Sequence, residues 1–464
     1  MRKGIIYTRA MRPPIFLHLC VVILLGWAIG PGSAMVSAPD AAALKSRLTP
    51  VGAERAGNAD GAIPAWTGGV TSAPGYVPGT PRPDLFAADK VLFSITARNY
   101  RDYADRLPEG AKALFAKQAD YRMDIYPSHR SAAAPDWVYE NIFRNATRAH
   151  AAPEGIAYGV EGAVGGIPFP IPQNGFEALW NHLLAFWGPA RELTVSTYIV
   201  PAGGAVEKAS TYKETADFPY YFQGATPDSF GPYYFKTLHV ASAPAARAGE
   251  AYLNWQPINI RRNSFAAWRL VPGEHRVRKA PGISYDVPDA DAAGFVSLDE
   301  YYIFFGGMDR YTFKLLGKKE MYVPYNNNRL STRPVNEVLG RDHANPDDVR
   351  YELHRVWVVD GTLAPGAHHV AAHRRLYLDE DSWMAVYSDS WDEAGQLWKF
   401  GQASMYLMPD VPAMIVGSQF VYDLQLGGYA FTFAFNGEAS AYKVTAPHPA
   451  TLFTPDSLSA RSVR

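Results

Sequence analysis

Histidines and carboxylates that lie close together are the side chains in this chain with metal-ligating or acid–base potential. His354, His368, His369 and His373 form a histidine cluster, and Asp379, Glu380 and Asp381 follow it. His369 and His373 stand four apart, a spacing that brings two imidazoles to one ion on a helix. Here the segment has the composition of a strand, where the same spacing leaves them on one face but about 13 Å apart. Asp379-Glu380-Asp381-Ser382 lacks the alternating carboxylates and glycine of a calcium loop, and turn chemistry accounts for it. No HExxH, CxxC, GxSxG or paired SxxK motif occurs. The glycine-rich stretch 159–175, GVEGAVGGIPFPIPQNG, has neither GxGxxG nor GxxxxGK and is a non-regular connector. These absences point away from catalysis, a metal or a cofactor.

Two groups of cations could meet an anion. His129-Arg130 follow Tyr126 in a segment whose Pro127-Ser128 also makes a plain surface turn. Arg269, Arg276, Arg278 and Lys279 flank the turn Pro272-Gly273-Glu274, but Arg276 and Arg278 alternate with Val277 as on a solvated outer face.

The elements that must position these residues are mostly strands. Tyr351–Phe400 divides into four runs rich in Val, Trp, Tyr and Leu: Tyr351–Asp360, His369–Asp379, Trp383–Asp389 and a run from Gln396. Asp/Gly turns separate them, which predicts sequential antiparallel hairpins. Strand-like pieces also occur at Leu193–Val200, Tyr233–Val240, Glu250–Trp255, Phe265–Leu270 and the return run 275–279. KLLGKKEMYVPYNNNRL suggests a strand, a turn at Gly317, a second strand and an Asn-rich loop. Helical spacing is expected at Asp40–Leu48 and in two pieces within 94–120, with Ser94 and Thr96 as N-caps. The clearest helix is Gly175–Gly188, capped by Asn174 and stopped by Gly188-Pro189. Phe176, Leu179, Trp180, Leu183, Leu184 and Trp187 recur on it at three- and four-residue steps, giving an apolar, aromatic face.

That face suits either plain core packing or a lid over a sheet. On Tyr351–Val359 one face carries Tyr351, Leu353, Arg355, Trp357 and Val359, an apolar surface with a single Arg. His373, Arg375, Tyr377 and Asp379 share a face on the next strand. Phe176, Trp180, Leu184 and Trp187 on the helix, with Leu353, Arg355, Trp357 and Tyr377 on the sheet, are therefore the candidate lining of an apolar cavity. The competing expectation is that Arg355 and Arg375 are ordinary salt-bridged strand residues.

Compartment is set by the start of the chain. Arg2, Lys3, Arg9 and Arg12 precede the apolar run Ile15–Ile29 and the small-residue stretch Gly30–Ala38, the pattern of a secretory signal peptide cleaved after Ala34. Residues 1–34 are thus a leader and 35–90 a Gly/Pro-rich extended arm with Trp66 and Tyr76 as anchors. Residues 91–190 form a helical and irregular cover, and 191–464 a β half-barrel in one domain with it. The one cysteine, Cys20, lies in the leader, so an exported chain without disulfides must rest on an ordinary core. With 44 basic and 45 acidic residues, a nucleic-acid partner is excluded.

LTPVGAERAGNADGAIPAWTGG, MDIYPSHR, GGIPFPIP with EALWNH, AWRLVPGEHRVRKAP, DRYTFKLLGKKEMYVPYN, RYELHRVWVV and RRLYLDEDSW together resemble the DUF1329 family of exported bacterial proteins. That family is grouped with the lipoprotein carriers LolA and LolB. The resemblance implies a mainly β (α+β) fold, a strongly curved, incomplete antiparallel barrel covered by a few helices. It further implies a periplasmic carrier of a lipid or other hydrophobic molecule, working beside outer-membrane proteins and RND-type transporters. A non-transporting scaffold docked on such a partner is the alternative. The family supplies no established site residues.

Overall fold

Two meanders, one following the other along the chain, meet edge to edge and make most of the sheet. The computed structural model describes residues 36–274, 276–280, 285–437 and 442–461, besides Met1. The leader with its cleavage after Ala34 lies outside the described residues, as does His275. The first strands are β1 (Phe93–Thr96) and β2 (Arg122–Ile125), and β3 (His150–Ala151) pairs with β4 (Val160–Glu161) in a separate small ladder. One meander comprises β5 (Ala190–Pro201), β6 (Glu207–Asp217), β7 (Tyr233–Ala243), β8 (Ala251–Pro257), β9 (Ala266–Leu270) and β10 (Val277–Ala280). The other runs through β11 (Tyr311–Pro324), β12 (Arg350–Leu363), β13 (His373–Asp379), β14 (Ala385–Trp391), β15 (Leu397–Met408), β16 (Ala413–Asp423) and β17 (Gly428–Ala434). Pairing of β17 with β5, Tyr429 opposite Val200, joins them, and β18 (Lys443–Val444) adds to β5.

The result is a sixteen-stranded sheet whose path runs from β1 to β10. Among the described residues those two edges do not pair, so the sheet is not closed. The fold is mainly β with few helices, of the incomplete-barrel class expected.

β12 is the hub. It pairs with β11 along its length, with β13 from Val356 to Thr362, and in parallel with β2 at Arg350 and Tyr351. All eleven residues of β16 are buried, the mark of a strand covered on both faces. The expected hairpins of 351–400 form in order as β12 to β15. Three expectations are corrected. Ser94 and Thr96 do not cap a helix; they lie in β1 and pair with Asp124 and Arg122. Gly317 is not a hairpin turn. β11 runs straight through it, with a bulge between Leu315 and Gly317 opposite Val358–Val359. Gly317 takes φ +104 there, which a side chain resists, and the displaced Leu316 is left 56% exposed. The return strand after the turn Pro272–Glu274 starts at Val277.

Helices are short: α1 (Ala38–Ala42), α2 (Glu109–Lys117), α3 (Asp136–Asn145) and α4 (Gly175–Leu183). The Asn174 side chain accepts the Glu177 N–H, capping α4 as its sequence predicts. α4 stops near Leu184, whose φ/ψ of −107°/21° is no longer helical, so 184–189 lead straight into β5.

The Gly/Pro-rich arm lies on the second meander and is held through its backbone. Arg130 reaches three arm carbonyls, of Arg55, Ala56 and Pro64, at 3.3–3.5 Å. Arg355 donates to Ala56 O at 3.1 Å, Trp383 to Val51 O at 2.8 Å, and Glu54 N–H to Glu380 at 3.3 Å. Further along, Trp66 donates to Ala132 O, and Arg82, with Tyr76 beneath it, forks onto Asp410 at 2.6 and 2.9 Å. A segment without its own ladder must have its polar backbone satisfied by side chains, and these supply it. Replacing Arg130 by Met leaves Asp381 as a buried carboxylate without its cation. The expected loss is about 3–5 kcal/mol in urea unfolding, with new protease cleavage inside 46–66; an arm as resistant as in the wild type would overturn this account.

Candidate functional site

α4 and β12 were the expected walls of one cavity, and the structure fills the space between them. Trp180, Leu184, Trp187, Leu353 and Tyr377 are all buried. Phe176 meets Phe313 edge-on at 5.5 Å, and Trp187 meets Tyr302 at 4.9 Å. Trp180 donates to Ile156 O at 2.7 Å, and Trp357 stacks on Trp383 at 5.9 Å. Trp180 borders a void of about 10 Å³ and Trp187 one of about 20 Å³, each with room for roughly one water. Of the four cavities described, Trp187, Tyr377 and Trp180 each border a different one, and Phe176, Leu184, Leu353, Arg355 and Trp357 border none.

Two features that sequence reasoning missed occupy that interior. Arg191 on β5 is buried, ion-paired to Glu214 at 2.6 Å. The faces of Trp187, Phe218, Phe235, Tyr302 and Tyr442 stand 5.0–5.8 Å from its guanidinium. Stacked rings are a strong medium for a desolvated Arg. The second is the loop Tyr301–Met308, whose Tyr302 and Ile303 take φ +53° and +72°, an uncommon conformation for bulky side chains. His182 on α4 fixes this loop. Its Nε2–H donates to Phe304 O at 2.8 Å, while Nδ1 accepts the Ala385 N–H at 3.1 Å, so the ring is neutral. Neither feature has a sequence signal, because the partners are far apart along the chain.

Arg355 points under the arm. It pairs with Glu380 at 3.2 Å and Glu54 at 3.7 Å, so it is the salt-bridged strand residue of the competing expectation. Its neighbours form a dense charge cluster built from β11, β12, the arm and the segments just after β2 and β13. Arg130 forks onto Asp381 at 2.7 and 2.8 Å, and Lys318 pairs with Glu380 at 2.7 Å. Arg350 pairs with Asp89 at 2.6 Å and with Glu352 at 2.5 Å. Thus the anion held by Arg130 is the protein's own. His369 and His373 are indeed separated, on Asp299 and Asp360 respectively. The buried His354 instead lies beside Asp379 and Asp381.

Open space lies on the other face of β12. A cleft of about 290 Å³ runs between the 3₁₀ turn Tyr100–Arg106 with α2 and strands β11 to β13. Leu107, Leu316, Met321 and Val358 make its apolar wall, and Lys112, Lys318, Lys319 and Arg375 bring positive charge against Asp105 and Glu109. Lys112 is paired to Glu109, Lys318 to Glu380 and Arg375 to Asp360. Lys319 is exposed and makes no ion pair among the described residues. Tyr377 is the one expected lining residue that reaches this cleft. Its hydroxyl donates to Asp389 at 2.9 Å. That carboxylate also takes the Glu109 and Gly110 N–H groups at the start of α2, and burial pushes it up to about 6. The cleft wall is thereby rigid: Asp389 ties α2 to β14.

Residues 94–459 match the sequence profile of a protein family of unknown function, DUF1329. The uncharacterized protein PA3922 of Pseudomonas aeruginosa is 37% identical over 437 residues, 93% of this chain and 95% of its own length. A DUF1329 family protein from Desulfovibrio piger superposes on 59% of this chain and 92% of its own, with 15% identity and a TM-score of 0.40. A putative outer membrane lipoprotein-sorting protein domain from Vibrio parahaemolyticus does so over the same shares, with 12% identity and a TM-score of 0.40.

His182 gives a pH test of the filled interior. Burial lowers it from the ordinary 6.5 to about 4, so the folded state favours the neutral ring. Its contribution is present above pH 6.5 and is lost as pH falls through 4, up to about 3 kcal/mol at 1.36 kcal/mol per pH unit. His182→Gln keeps one donor and one acceptor without titrating. Its stability in chemical denaturation should fall less steeply from pH 6.5 to 4 than that of the wild type; parallel slopes would show that His182 is not held neutral.

Proposed function

The chain belongs to the DUF1329 family, and from that premise we propose that it is a non-enzymatic binding protein for a hydrophobic molecule with an anionic end. The observation that carries this reading is the cleft. It pairs an apolar wall with an exposed, unpaired Lys319, whereas the interior voids hold about one water each. Its 290 Å³ is room for a short stretch of chain. Burying about six methylenes there contributes about 5 kcal/mol, a Kd on the order of 10⁻⁴ M. A surface ion pair to Lys319 adds at most about 1 kcal/mol. Weak, exchangeable binding of that kind suits a carrier that must also release. The leader-like start of the sequence supports a periplasmic setting for this activity, and the resemblance to lipoprotein carriers favours a lipid as the ligand. Among the described residues, no helix is long and apolar enough to cross a membrane.

A second reading keeps the protein as an envelope scaffold docked on an outer-membrane or RND-type partner. It is favoured by the same filled interior, which offers no storage space for a whole lipid. Extraction and native mass spectrometry of protein isolated from its own periplasm separate the two. A co-purifying hydrophobic anion supports the carrier; a stable protein partner with no small molecule supports the scaffold.

The cleft itself is tested by titrating a fluorescent fatty acid. The double change Leu316→Asp, on the exposed bulge, with Lys319→Glu, on the regular part of β11 beyond it, should weaken binding at least 10-fold. Trp357→Phe, on the opposite face of β12, should leave it unchanged. Reversal of these two results would return the site to the α4–β12 interior.

A further inference from the structure

Asp379 at the end of β13 is fully buried, yet it has no cation in hydrogen-bond reach. Tyr325 Oη, Ser382 N and Ser382 Oγ all donate to its Oδ2, at 3.0, 2.9 and 2.6 Å. Its Oδ1 is buried and has no hydrogen-bond partner. The nearby cations are committed elsewhere. Arg130 serves Asp381, Lys318 and Arg355 serve Glu380, and Arg350 serves Glu352 and Asp89. An ionised carboxylate oxygen left buried in that state is stabilised by a metal ion or a proton beside it.

What faces that oxygen is an imidazole. His354 Nδ1 stands 3.9 Å from Asp379 Oδ1, too far for a hydrogen bond, and one ligand atom each from His354, Asp379 and Asp381 lie within 4.8 Å of one another. The other ring nitrogen, Nε2, lies 3.2 Å from Glu352 Oε2. Glu352 is itself held by Arg350, by Asn326 and by the His129 N–H. A carboxylate accepting Nε2–H leaves Nδ1 as a lone pair aimed at the Asp379 oxygen, which is the arrangement that orients metal-bound histidines. The ring is further fixed by stacking on Tyr325 at 3.8 Å.

We propose that His354 Nδ1, Asp379 Oδ1 and Asp381 form a buried site for a divalent transition metal, of the zinc or manganese class. One imidazole and two carboxylates, with water completing the shell, suit those ions better than calcium, which takes six or more oxygens. Separations of up to 4.8 Å exceed those of a bound shell, about 3.3 Å for tetrahedral zinc ligands at 2.0 Å, so the three side chains draw inward on binding. Asp381 keeps a lone pair on each oxygen while Arg130 donates to both. Through Asp381 and Arg130 the metal is linked to the arm carbonyls of Arg55, Ala56 and Pro64, so its binding tightens the arm. Its role is to lock a fold that has no disulfide.

The competing occupant of the same gap is a proton, with His354 as an imidazolium between Glu352 and Asp379. To distinguish them, the full protein is stripped with EDTA, desalted, and titrated with Zn²⁺ and separately with Mn²⁺ by calorimetry. The bound metal is then counted by elemental mass spectrometry. One equivalent of either ion per chain, a raised Tm and slower protease cleavage within 46–66 are expected. His354→Gln and Asp379→Asn should each lower affinity at least 100-fold. His373→Gln, at the separate His373–Asp360 pair, should bind as the wild type does. Because the buried variants could unfold, the wild type is also followed by ¹⁵N NMR of the His354 ring. An unprotonated Nδ1 whose resonance shifts on adding metal, with Nε2 still protonated, supports the site. A ring that stays protonated on both nitrogens, with no stoichiometric metal uptake, overturns it.

Discussion

Arg130 is the residue on which the arrangement of the arm, cover and meander depends. It sits just after β2, nearly fully buried, with a forked pair to Asp381 and a contact to Glu380 at 3.4 Å. The same guanidinium donates to carbonyls of the arm. Three sequence-distant segments are therefore held by one planar group with five fixed donors, a task that Lys could not perform. Burying so many charges is costly, and such clusters contribute to uniqueness of structure more than to net stability. Here the cluster sets where a backbone without its own hydrogen-bonding ladder must lie.

The same economy of partners explains why the sheet's interior is full. Arg191 has its aromatic cage and Glu214, and His182 clasps the loop Tyr301–Met308 to α4. Each of these groups is satisfied only if the space between α4 and the strands stays closed. The open cleft lies instead on the other face of β12, where a bulge at Leu316 breaks the regular surface. A bulge next to a cleft is a common way to re-aim a side chain.

Strand order in 351–400 was legible because β-branched and aromatic runs alternate with Asp/Gly turns, and the Asn174 cap of α4 was legible because capping is local. β6, EKASTYKETAD, was not. Its buried residues include Ser210, Thr211 and Glu214, which hydrogen-bond groups distant in sequence and follow no apolar pattern. Gly317 looked like a turn because a glycine between two strand-like runs has the same local signature as a bulge inside one strand. Only the pairing with β12 tells them apart.

Arg355 shows the division most clearly. Alternation along Tyr351–Val359 determined that Arg355 shares a face with Leu353 and Trp357, since strand periodicity is a property of the backbone alone. What that face meets was decided by tertiary structure: the arm, Glu380 and Trp383 cover it. The histidines behave alike. Their spacing in sequence correctly separated His369 from His373. It carried no sign that His354, some twenty-five residues before Asp379 in the chain, would lie 3.9 Å from it. Antiparallel pairing of β12 with β13 brings the two strands together, and register, which depends on the whole sheet, sets which side chains face each other.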